Sequence, residues 1–467
     1  MKNKKIFIDL DHSLIKTDLF IEGIIQYVSK SPFNIFKFIF VLFFKGKSQA
    51  KHFVLSRVNI SINNLPYNHD VIALLQSDYK DYEKIIISAS PQFMIDKIVN
   101  HLDIIDIGYG SSENSNLIGY MKVPLMKNLS DELIYIGDSM KDKIIFENTV
   151  KSYIVYPSFF KKLFFKRFNN LSVIDKPDFF IKNFIKSIRL KQWIKNIMIF
   201  APLFFVQSID FELYLIGLKT FFAFSLVASS IYLINDLFDI EDDRKNLEKS
   251  KRPIPSGNFS FISILSTLII FSTSSFFISN TINTTLFLYI FLYFITNLIY
   301  TLFAKKIAFI DIFFLSFFFN LRIFIGGIST QVPISNELFI FSCLFFYGLG
   351  GMKRIADFAS NNYEKTLINY RGYTLKSAKI LSIISQIISY ISCFFFLFYV
   401  INELENNLYN NPNYLFFLAI ILVFWIQFMW RKAKSGEITS DPIYYGIKNK
   451  TSLGFIVVGI IIFILSV

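Results

Sequence analysis

The chain has 467 residues, of which 53% are apolar and 58 are phenylalanine, and its formal net charge is +13. This length allows two or three domains. The two cysteines, Cys343 and Cys393, lie in apolar segments without partners at metal-ligand spacing, which excludes a disulfide framework and a zinc site. The basic residues lie at the edges of apolar segments and form no single patch, so a nucleic-acid-binding surface is excluded.

Short apolar runs in the N-terminal part each end in polar residues. Residues 5–10 are predicted to form a buried strand with Asp9 and Asp11 at its carboxyl end. Three further runs end in the same way, at 85–87 before Ser88, 104–105 before Asp106 and 133–136 before Gly137. Ligands bind at the carboxyl edge of open α/β sheets, so we expect the four strand ends to converge there.

The residues at these strand ends suit phosphate chemistry. Ser88 and a lysine are expected to hold phosphate oxygens, while Asp9 is free to attack phosphorus. Carboxylates together with substrate phosphates are the ligands that Mg²⁺ prefers in such sites. Four acids are expected to form the Mg²⁺ site: Asp9, Asp11, Asp138 and Asp142.

These motifs resemble the haloacid-dehalogenase-like (HAD) phosphohydrolase superfamily over about residues 4–157. The resemblance implies that Asp9 is the nucleophile, which forms an aspartyl phosphate, and that Asp11 is the general acid and base. It also implies that the phosphate-binding lysine is Lys122, whose spacing fits the superfamily better than that of Lys127.

The same resemblance implies the domain organisation. Residues 1–157 would form a HAD-like α/β domain of the Rossmannoid type, with the mostly helical stretch between the first two motifs as a cap.

Within that stretch, residues 33–44 are apolar but too short to cross a hydrocarbon core of about 30 Å, so they are predicted to form a buried or interfacial helix. Residues 158–190 interleave Phe with Lys and Arg and are predicted to be a basic amphipathic linker at the membrane surface. Residues 191–467 would form the membrane domain.

Nine apolar segments are predicted from about residue 196 onward, of which the first and sixth are short. They lie at about 196–206, 214–234, 261–279, 283–303, 307–327, 337–351, 379–400, 413–430 and 453–467. Every second loop is basic: the loops at 235–260, 304–306, 352–378 and 431–452 carry five, two, five and five Lys or Arg, and the four between them carry none. The positive-inside rule places the basic loops in the cytosol. We therefore expect a multi-pass protein of the cell (inner) membrane with a cytoplasmic N-terminal domain.

A run of carboxylates follows an apolar segment long enough to cross a bilayer. Asp236, Asp239 and Asp243 lie at spacings of three and four, so they share one helical face. Together with Asn235 this face is predicted to bind Mg²⁺ and a substrate diphosphate, and a solvated acidic loop is the alternative. Four nearby cations would take the remaining phosphate charge: Arg189, Lys195, Arg244 and Arg252.

Further charged residues lie near the next two cytosolic edges and are predicted to line the same substrate cavity. They are Tyr300, Lys305 and Asp311 at the first edge, and Lys353 and Arg354 at the second. Arg322 lies well inside its segment, where an unpaired cation is costly, so a partner is required. Substrate phosphate and a carboxylate of the helix bundle are equal alternatives for that partner.

These residues resemble the UbiA superfamily of intramembrane prenyltransferases over about residues 184–467, and more closely its decaprenyl-phosphate phosphoribosyltransferase branch. The resemblance implies a UbiA-like all-α fold of about nine transmembrane helices. It also implies Mg²⁺-dependent transfer of 5-phosphoribose from phosphoribosyl diphosphate (PRPP) to a polyprenyl phosphate lipid. Two positions depart from the branch, since Asp357 and Asn449 stand where Glu and an acid are expected.

Together the two resemblances predict a bifunctional enzyme, because transfer from PRPP leaves a phosphomonoester that a HAD domain would hydrolyse. Two alternatives stay open: a prenyltransferase that uses a prenyl diphosphate and an aromatic acceptor, and a non-catalytic N-terminal module. A HAD-linked transporter is disfavoured because Asp9 precedes every membrane segment and Asp11 supplies the second acid that hydrolysis needs. The sequence predicts no oligomeric state.

Overall fold

The computed structural model describes residues 4–113, 116–175, 180–360, 372–406, 409–438 and 441–467. The chain divides into two compact units. The first contains residues 1–188 and 232–266, and the second contains residues 189–231 and 267–467.

A six-stranded parallel sheet lies at the centre of the first unit, in the order β3-β2-β1-β4-β5-β6. The strands are β1 (Lys5–Ile8), β2 (Glu83–Pro91), β3 (Ile107–Ser111), β4 (Ile134–Gly137), β5 (Lys151–Val155) and β6 (Leu171–Ile174). The central strands are continuous buried runs rich in Ile, as expected for parallel strands covered on both faces. Phe7 of β1 pairs with Ile85 of β2 on one side and with Tyr135 of β4 on the other. The strand order reverses at β1, so the carboxyl ends of β1 and its neighbours flank the point where open sheets bind ligands.

The stretch between the first two motifs is mostly helical, as predicted. Helix α1 (Leu19–Lys30) begins after Asp18, whose carboxylate accepts the first free backbone N–H groups. Helix α2 (Asn34–Leu55) is interrupted at Gly46, which has a φ of +80°. These two helices share an apolar core of their own, formed by Phe20, Tyr27, Phe38, Val41, Ala50 and Val54. The other helices of the α/β part are α3 (His69–Ser77), α4 (Gln92–Val99), α5 (Lys122–Leu129), α6 (Lys143–Glu147), α7 (Phe159–Phe165) and α8 (Phe180–Ser187).

Two boundaries in this unit differ from the sequence prediction. Strand β3 begins after Asp106, so Asp106 lies at the amino end of the sheet, where its Oδ2 accepts the N–H of Lys84 at 2.7 Å. The sheet also continues past residue 157, because β6 pairs with β5 and Phe165 of α7 is buried in the core. The predicted linker at 158–190 therefore contains helix α7 and strand β6 of the α/β layer.

Seven helices of the described chain are long and apolar enough to cross a membrane. They are α10 (Phe211–Phe238), α12 (Phe261–Ile282), α13 (Thr284–Leu302), α14 (Ile310–Thr330), α15 (Asn336–Ser360), α16 (Leu375–Asn406) and α17 (Tyr414–Lys434). Helices α18 (Pro442–Lys448) and α19 (Lys450–Ser466) form a pair bent by 85°, which makes an eighth span if the pair counts as one. Two short helices, α9 (Ala201–Phe205) and α11 (Ile240–Lys245), flank α10.

The prediction of nine spanning segments is too high for the described residues. The segment predicted at 196–206 is a 3₁₀ helix, Leu190–Phe200, followed by the short α9. Pro202 at the start of α9 has no N–H to continue the hydrogen bonds of the preceding turn. The segment predicted at 337–351, in contrast, belongs to the full 25-residue helix α15.

A buried ion pair fastens α1 to α11 inside the first unit. Arg244 donates from both terminal nitrogens to the two carboxylate oxygens of Glu22, at 2.8 and 2.7 Å. Its Nε donates to the carbonyl of Pro255 at 2.9 Å. A bidentate guanidinium–carboxylate pair with its remaining donor satisfied is geometrically specific, so it fixes the segment after α10 against α1.

We predict that Glu22→Ala lowers the local opening free energy of α11 by about 3 kcal/mol or more, because removal of one partner leaves a buried charge uncompensated. Amide hydrogen exchange of residues 240–245 in the full-length protein measures this change. Asp242→Ala is the matched control, since Asp242 forms an exposed pair with Lys245 on the same helix and its loss should change little. Equal protection of α11 in Glu22→Ala and in the wild type would contradict the structural role of the pair.

Candidate active sites

Three carboxylates converge at the carboxyl edge of the sheet. Asp9 follows β1, and Asp138 and Asp142 follow β4, the neighbouring strand. One ligand oxygen from each of the three lies within 4.8 Å of the other two. Asp142 Oδ2 is buried without a hydrogen-bond partner, as expected of an oxygen that binds a cation. These residues therefore fit a divalent metal ion with oxygen ligands.

A buried lysine completes this cluster. Lys122 Nζ lies 3.0 Å from Asp9 Oδ1 and 3.9 Å from Asp142 Oδ1, and it donates to the hydroxyl of Tyr135 at 2.9 Å. Burial alone would lower the pKa of Lys122, but Asp9 and Asp142 outweigh burial and raise it above the usual value. The alternative, Lys127, donates instead to the exposed Asn148. The structure thus brings the favoured lysine to the acids.

Asp11 is not one of the three carboxylates that converge, and its predicted role as a metal ligand stays a prediction. Its Oδ1 accepts the N–H of Leu19 at 2.9 Å, and its Oδ2 accepts the hydroxyl of Ser90 at 3.1 Å. Burial, together with the negative charge of Asp18, raises the pKa of Asp11 to about 7. A carboxyl group with a pKa near neutrality is suited to give and take protons.

Ser88, which was predicted from the sequence, and two lysines that were not predicted also lie near this edge. Ser88 is buried as predicted at the carboxyl side of β2, where its hydroxyl accepts the N–H of Ser90 at 3.1 Å. Lys161 of α7 donates to the backbone carbonyl of Asp138 at 2.6 Å. Lys51 of α2 donates to the carbonyl of Ala89 at 3.0 Å. Short-range spacing could not reveal Lys51 or Lys161, because their partners lie 38 and 23 residues away in sequence.

The acidic motif occupies the end of α10 and the start of α11, in the first unit. Asp236 and Asp243 are buried, and Arg252 Nη1 lies 2.7 Å from Asp243 Oδ2 and 3.4 Å from Asp236 Oδ1. Burial raises the pKa of Asp243, and the charge of Arg252 opposes that rise. Asp239 caps α11. Among the described residues, these carboxylates do not converge as closely as Asp9, Asp138 and Asp142. A metal ion bound to Asp236 and Asp243 would compete with Arg252, which contacts both.

The other predicted residues around the motif differ in their surroundings. Arg244 is held by Glu22 instead of facing Asp236 or Asp243. Arg189 is half-buried and has a φ of +52°, directly before the 3₁₀ helix of the second unit. Asn235 is half-buried in the last turn of α10. The substrate and metal roles of these three residues stay predictions.

In the second unit, two lysines that were predicted to bind substrate contact Asp441, a carboxylate that was not among the predicted site residues. Asp441 Oδ2 lies 2.6 Å from Lys195 Nζ and 3.4 Å from Lys353 Nζ. Its Oδ1 accepts the N–H of Ile443, which caps α18. Asp441 thereby gathers cations from two distant elements. The separation of 246 residues between Asp441 and Lys195 explains why no local pattern revealed the pair.

A second buried network of this unit surrounds Asp311 near the start of α14. Its Oδ2 accepts Nε of Arg354, and its Oδ1 accepts the hydroxyl of Tyr373. Arg354 also donates to the hydroxyl of Tyr300 at 3.2 Å and to Asp357 at 3.2 Å. The network therefore brings together three predicted residues, Asp311, Arg354 and Tyr300. Lys305 is half-buried in the turn after α13.

Arg322 is surrounded by neutral acceptors and aromatic rings in place of the predicted carboxylate, while substrate phosphate as its partner stays a prediction. Its Nε donates to Asn196 Oδ1 at 2.9 Å, and Nη1 donates to the carbonyl of Phe318. The guanidinium lies over the rings of Phe224 and Phe319, at 5.0 and 5.1 Å from their centroids. No carboxylate of the described residues lies within 4.0 Å of it. Aromatic faces and neutral acceptors thus stabilise this buried cation.

Seven candidate spans and charged clusters near their ends define an integral multi-pass membrane protein. The sequence profile of the UbiA prenyltransferase family matches residues 197–441, which is more than half of the chain. The chain therefore belongs to the UbiA prenyltransferase family.

Similarity to individual proteins extends beyond this family match. The chain is 29% identical over 464 residues to the uncharacterized protein y4nM of Sinorhizobium fredii, which covers 95% of this chain and 87% of that protein. It is 30% identical over 224 residues to decaprenyl-phosphate phosphoribosyltransferase of Mycolicibacterium smegmatis, which covers 46% of this chain and 70% of that protein. A UbiA homologue from Archaeoglobus fulgidus, solved with DMAPP and Mg²⁺, aligns with 60% of this chain and 99% of its own at 14% identity and a TM-score of 0.45.

We predict that Mn²⁺, as a probe for the cluster of Asp9, Asp138 and Asp142, binds more tightly as the pH rises from 5.5 to 8. Burial raises the pKa of Asp142 to about 7, and a carboxylate must be deprotonated to bind a metal ion. Below pH 7 the affinity should therefore fall up to about tenfold per pH unit. Titration of the full-length protein by electron paramagnetic resonance measures free Mn²⁺.

The control for this titration is Asp106→Asn, which removes a carboxylate at the opposite end of the sheet and should leave the affinity unchanged. Asp142→Asn should weaken binding and flatten the pH dependence. An Asp142→Asn protein that binds Mn²⁺ with the affinity and pH profile of the wild type would refute the site.

Proposed function

We propose that this protein is a bifunctional membrane enzyme: its membrane domain transfers 5-phosphoribose from PRPP to a polyprenyl phosphate, and its N-terminal domain is a HAD-type phosphatase that removes the 5-phosphate. The observation that carries the phosphatase half is the convergence of Asp9, Asp138 and Asp142 with Lys122 at the switch point of the sheet. The transferase half is supported by membership in the UbiA prenyltransferase family and by sequence similarity to a protein named decaprenyl-phosphate phosphoribosyltransferase.

In the transferase step, an oxygen of the lipid phosphate attacks C1 of the ribose, and the bond from C1 to the diphosphate oxygen breaks. Diphosphate leaves with the bonding electron pair. Asp236 and Asp239, with Asp243 and Asn235, would hold Mg²⁺, which supplies positive charge for the leaving diphosphate. Arg252 already contacts two of these acids, and its side chain is suited to hold phosphate oxygens as a bidentate fork.

In the phosphatase step, a carboxylate oxygen of Asp9 attacks phosphorus, and the bond from phosphorus to the ribose 5-oxygen breaks. Asp11 gives its proton to that oxygen, which its pKa of about 7 permits. Water then attacks the aspartyl phosphate while Asp11 takes back a proton, and inorganic phosphate leaves. Lys122 holds Asp9 in place and offsets phosphate charge, while a Mg²⁺ ion on Asp9, Asp138 and Asp142 would neutralise the phosphoryl oxygens.

The two activities would act on the same lipid. The transferase product keeps the 5-phosphate of PRPP as a phosphomonoester, the bond type that an aspartate nucleophile with a second acid hydrolyses. A fusion raises the local concentration of a lipid that cannot leave the membrane. The similarity to y4nM covers 95% of this chain, so it extends over both the α/β part and the membrane part.

For the location, we propose the cell (inner) membrane with the N-terminal domain in the cytoplasm. The alternation of basic loops with loops that lack Lys and Arg supports this orientation. PRPP and Mg²⁺ would then meet the enzyme on its cytoplasmic side.

We predict that Asp236→Asn lowers PRPP-dependent transfer to polyprenyl phosphate by at least about 100-fold, because metal-bound charge stabilisation supplies several kcal/mol. Product mass spectrometry in reconstituted vesicles measures the transfer. Asp242→Asn, which neutralises an exposed acid of the same motif, should retain most activity. Near-normal Mg²⁺-dependent turnover in Asp236→Asn would rule out the assigned transferase site, and activity with a prenyl diphosphate and an aromatic acceptor would favour the alternative.

We predict that Lys122→Ala lowers Mg²⁺-dependent hydrolysis of p-nitrophenyl phosphate by about 10²–10³-fold, the usual loss when a charge-stabilising donor is removed. The hydrolysis rate of the matched variant Lys127→Ala should stay within about twofold of the wild-type rate, because Lys127 donates to the exposed Asn148. Transferase activity of both variants reports whether the protein is folded. Equal loss in the two lysine variants would contradict the assignment.

A further inference from the structure

The first half of α2 carries an apolar face that is exposed in the described structure. The exposed fractions are 69% for Phe33, 69% for Phe36, 57% for Phe40, 82% for Phe43 and 75% for Phe44. These side chains recur at intervals of three and four residues, so they share one side of the helix. The opposite side buries Phe38 and Val41 against α1. An exposed apolar patch of this size marks an interaction site.

The position of α2 in the first unit indicates what lies next to this face. Helix α2 packs on α1, and the buried pair of Glu22 and Arg244 fastens α1 to α11. Helix α11 lies in the segment that joins α10 to α12, and both of these are candidate membrane spans. The α1–α2 pair is therefore attached, through α11, to the segment between two candidate membrane spans.

The charge of this segment is complementary to an anionic lipid surface. Residues 23–69 contain no Asp or Glu but six Lys or Arg. Three of these cations, Lys37, Lys45 and Lys47, are exposed on the half of α2 that carries the Phe face or directly after it. A helix with large apolar side chains and basic residues around them is typical of a segment that lies in the membrane interface.

We infer that residues 33–44 insert their Phe face into the interfacial layer of the bilayer. The inference does not depend on the proposed catalytic activities. Gly46, with its φ of +80°, separates the apolar half of α2 from a second half that carries Lys51, and Lys51 donates to the carbonyl of Ala89 beside Ser88. Helix α2 thus extends from the exposed Phe face to a contact with β2 at Ala89.

The test is the depth of nitroxide labels at positions 40 and 43 of the full-length protein in nanodiscs that contain phosphatidylglycerol. Phe40→Cys and Phe43→Cys are made singly in a chain whose Cys343 and Cys393 are replaced by Ala. The matched control is Lys97→Cys on α4, an exposed position of the same unit. Relaxation by oxygen, which partitions into lipid, is compared with relaxation by a nickel chelate, which stays in water. We expect an oxygen-to-nickel ratio at positions 40 and 43 several-fold above that at position 97.

Two outcomes would overturn the inference. A ratio at positions 40 and 43 equal to that at position 97 would place the face in water. Spin–spin broadening that disappears on dilution with unlabelled protein, without oxygen preference, would show that the face is an interface between copies of this chain. Since the labels report depth and not turnover, a failure of the proposed activities leaves this measurement unaffected.

Discussion

Buried charge is the constraint on which the rest of this structure depends. A carboxylate or a guanidinium removed from water costs several kcal/mol unless an opposite charge and further hydrogen bonds compensate it. The structure meets this constraint with carboxylate–cation pairs at the ends of strands and helices. In the first unit these pairs are Asp9 with Lys122, Glu22 with Arg244 and Asp243 with Arg252; in the second they are Asp311 with Arg354 and Asp441 with Lys195. Each pair joins elements that are separate in sequence, so the pairs fix the loops that carry the candidate chemistry.

The pairs differ in how open they are to a ligand. The side chains of Arg354 and Asp311 are 2% and 0% exposed, and those of Arg244 and Glu22 are 3% and 5% exposed. Arg252, in contrast, is 34% exposed, and Asp9 is 13% exposed. A substrate phosphate or a metal ion can reach Arg252 or Asp9 without removal of a packed side chain. The exposures therefore favour Arg252 and Asp9 as ligand-binding residues, and they favour structural roles for Arg244 and for the Asp311 network.

The sequence predicted well which side chains of the α/β unit lie together, because these side chains follow strand ends. A buried apolar run followed by Asp9 or by Asp138 already indicates a carboxyl edge, and the resemblance to the HAD superfamily favoured Lys122 over Lys127. The same reasoning failed for Asp106, because the short run before it ends in a turn and the strand begins only at Ile107. Sequence patterns also could not reveal pairs such as Glu22 with Arg244, which are 222 residues apart. Periodicity reports the local face of an element, whereas these pairs depend on how distant elements pack.

The most direct test of the central claim, that one chain makes a phosphoribosyl lipid and then dephosphorylates it, follows the 5-phosphate itself. PRPP labelled with ³²P at the 5-phosphate is supplied to reconstituted wild-type protein and to Asp9→Asn, with polyprenyl phosphate in the vesicles. The account predicts that in the wild type the label enters the lipid fraction first and then appears as inorganic phosphate, while in Asp9→Asn it stays in the lipid. Label that enters the lipid but is still there after long incubation with the wild type would contradict the account, as would label that never enters the lipid.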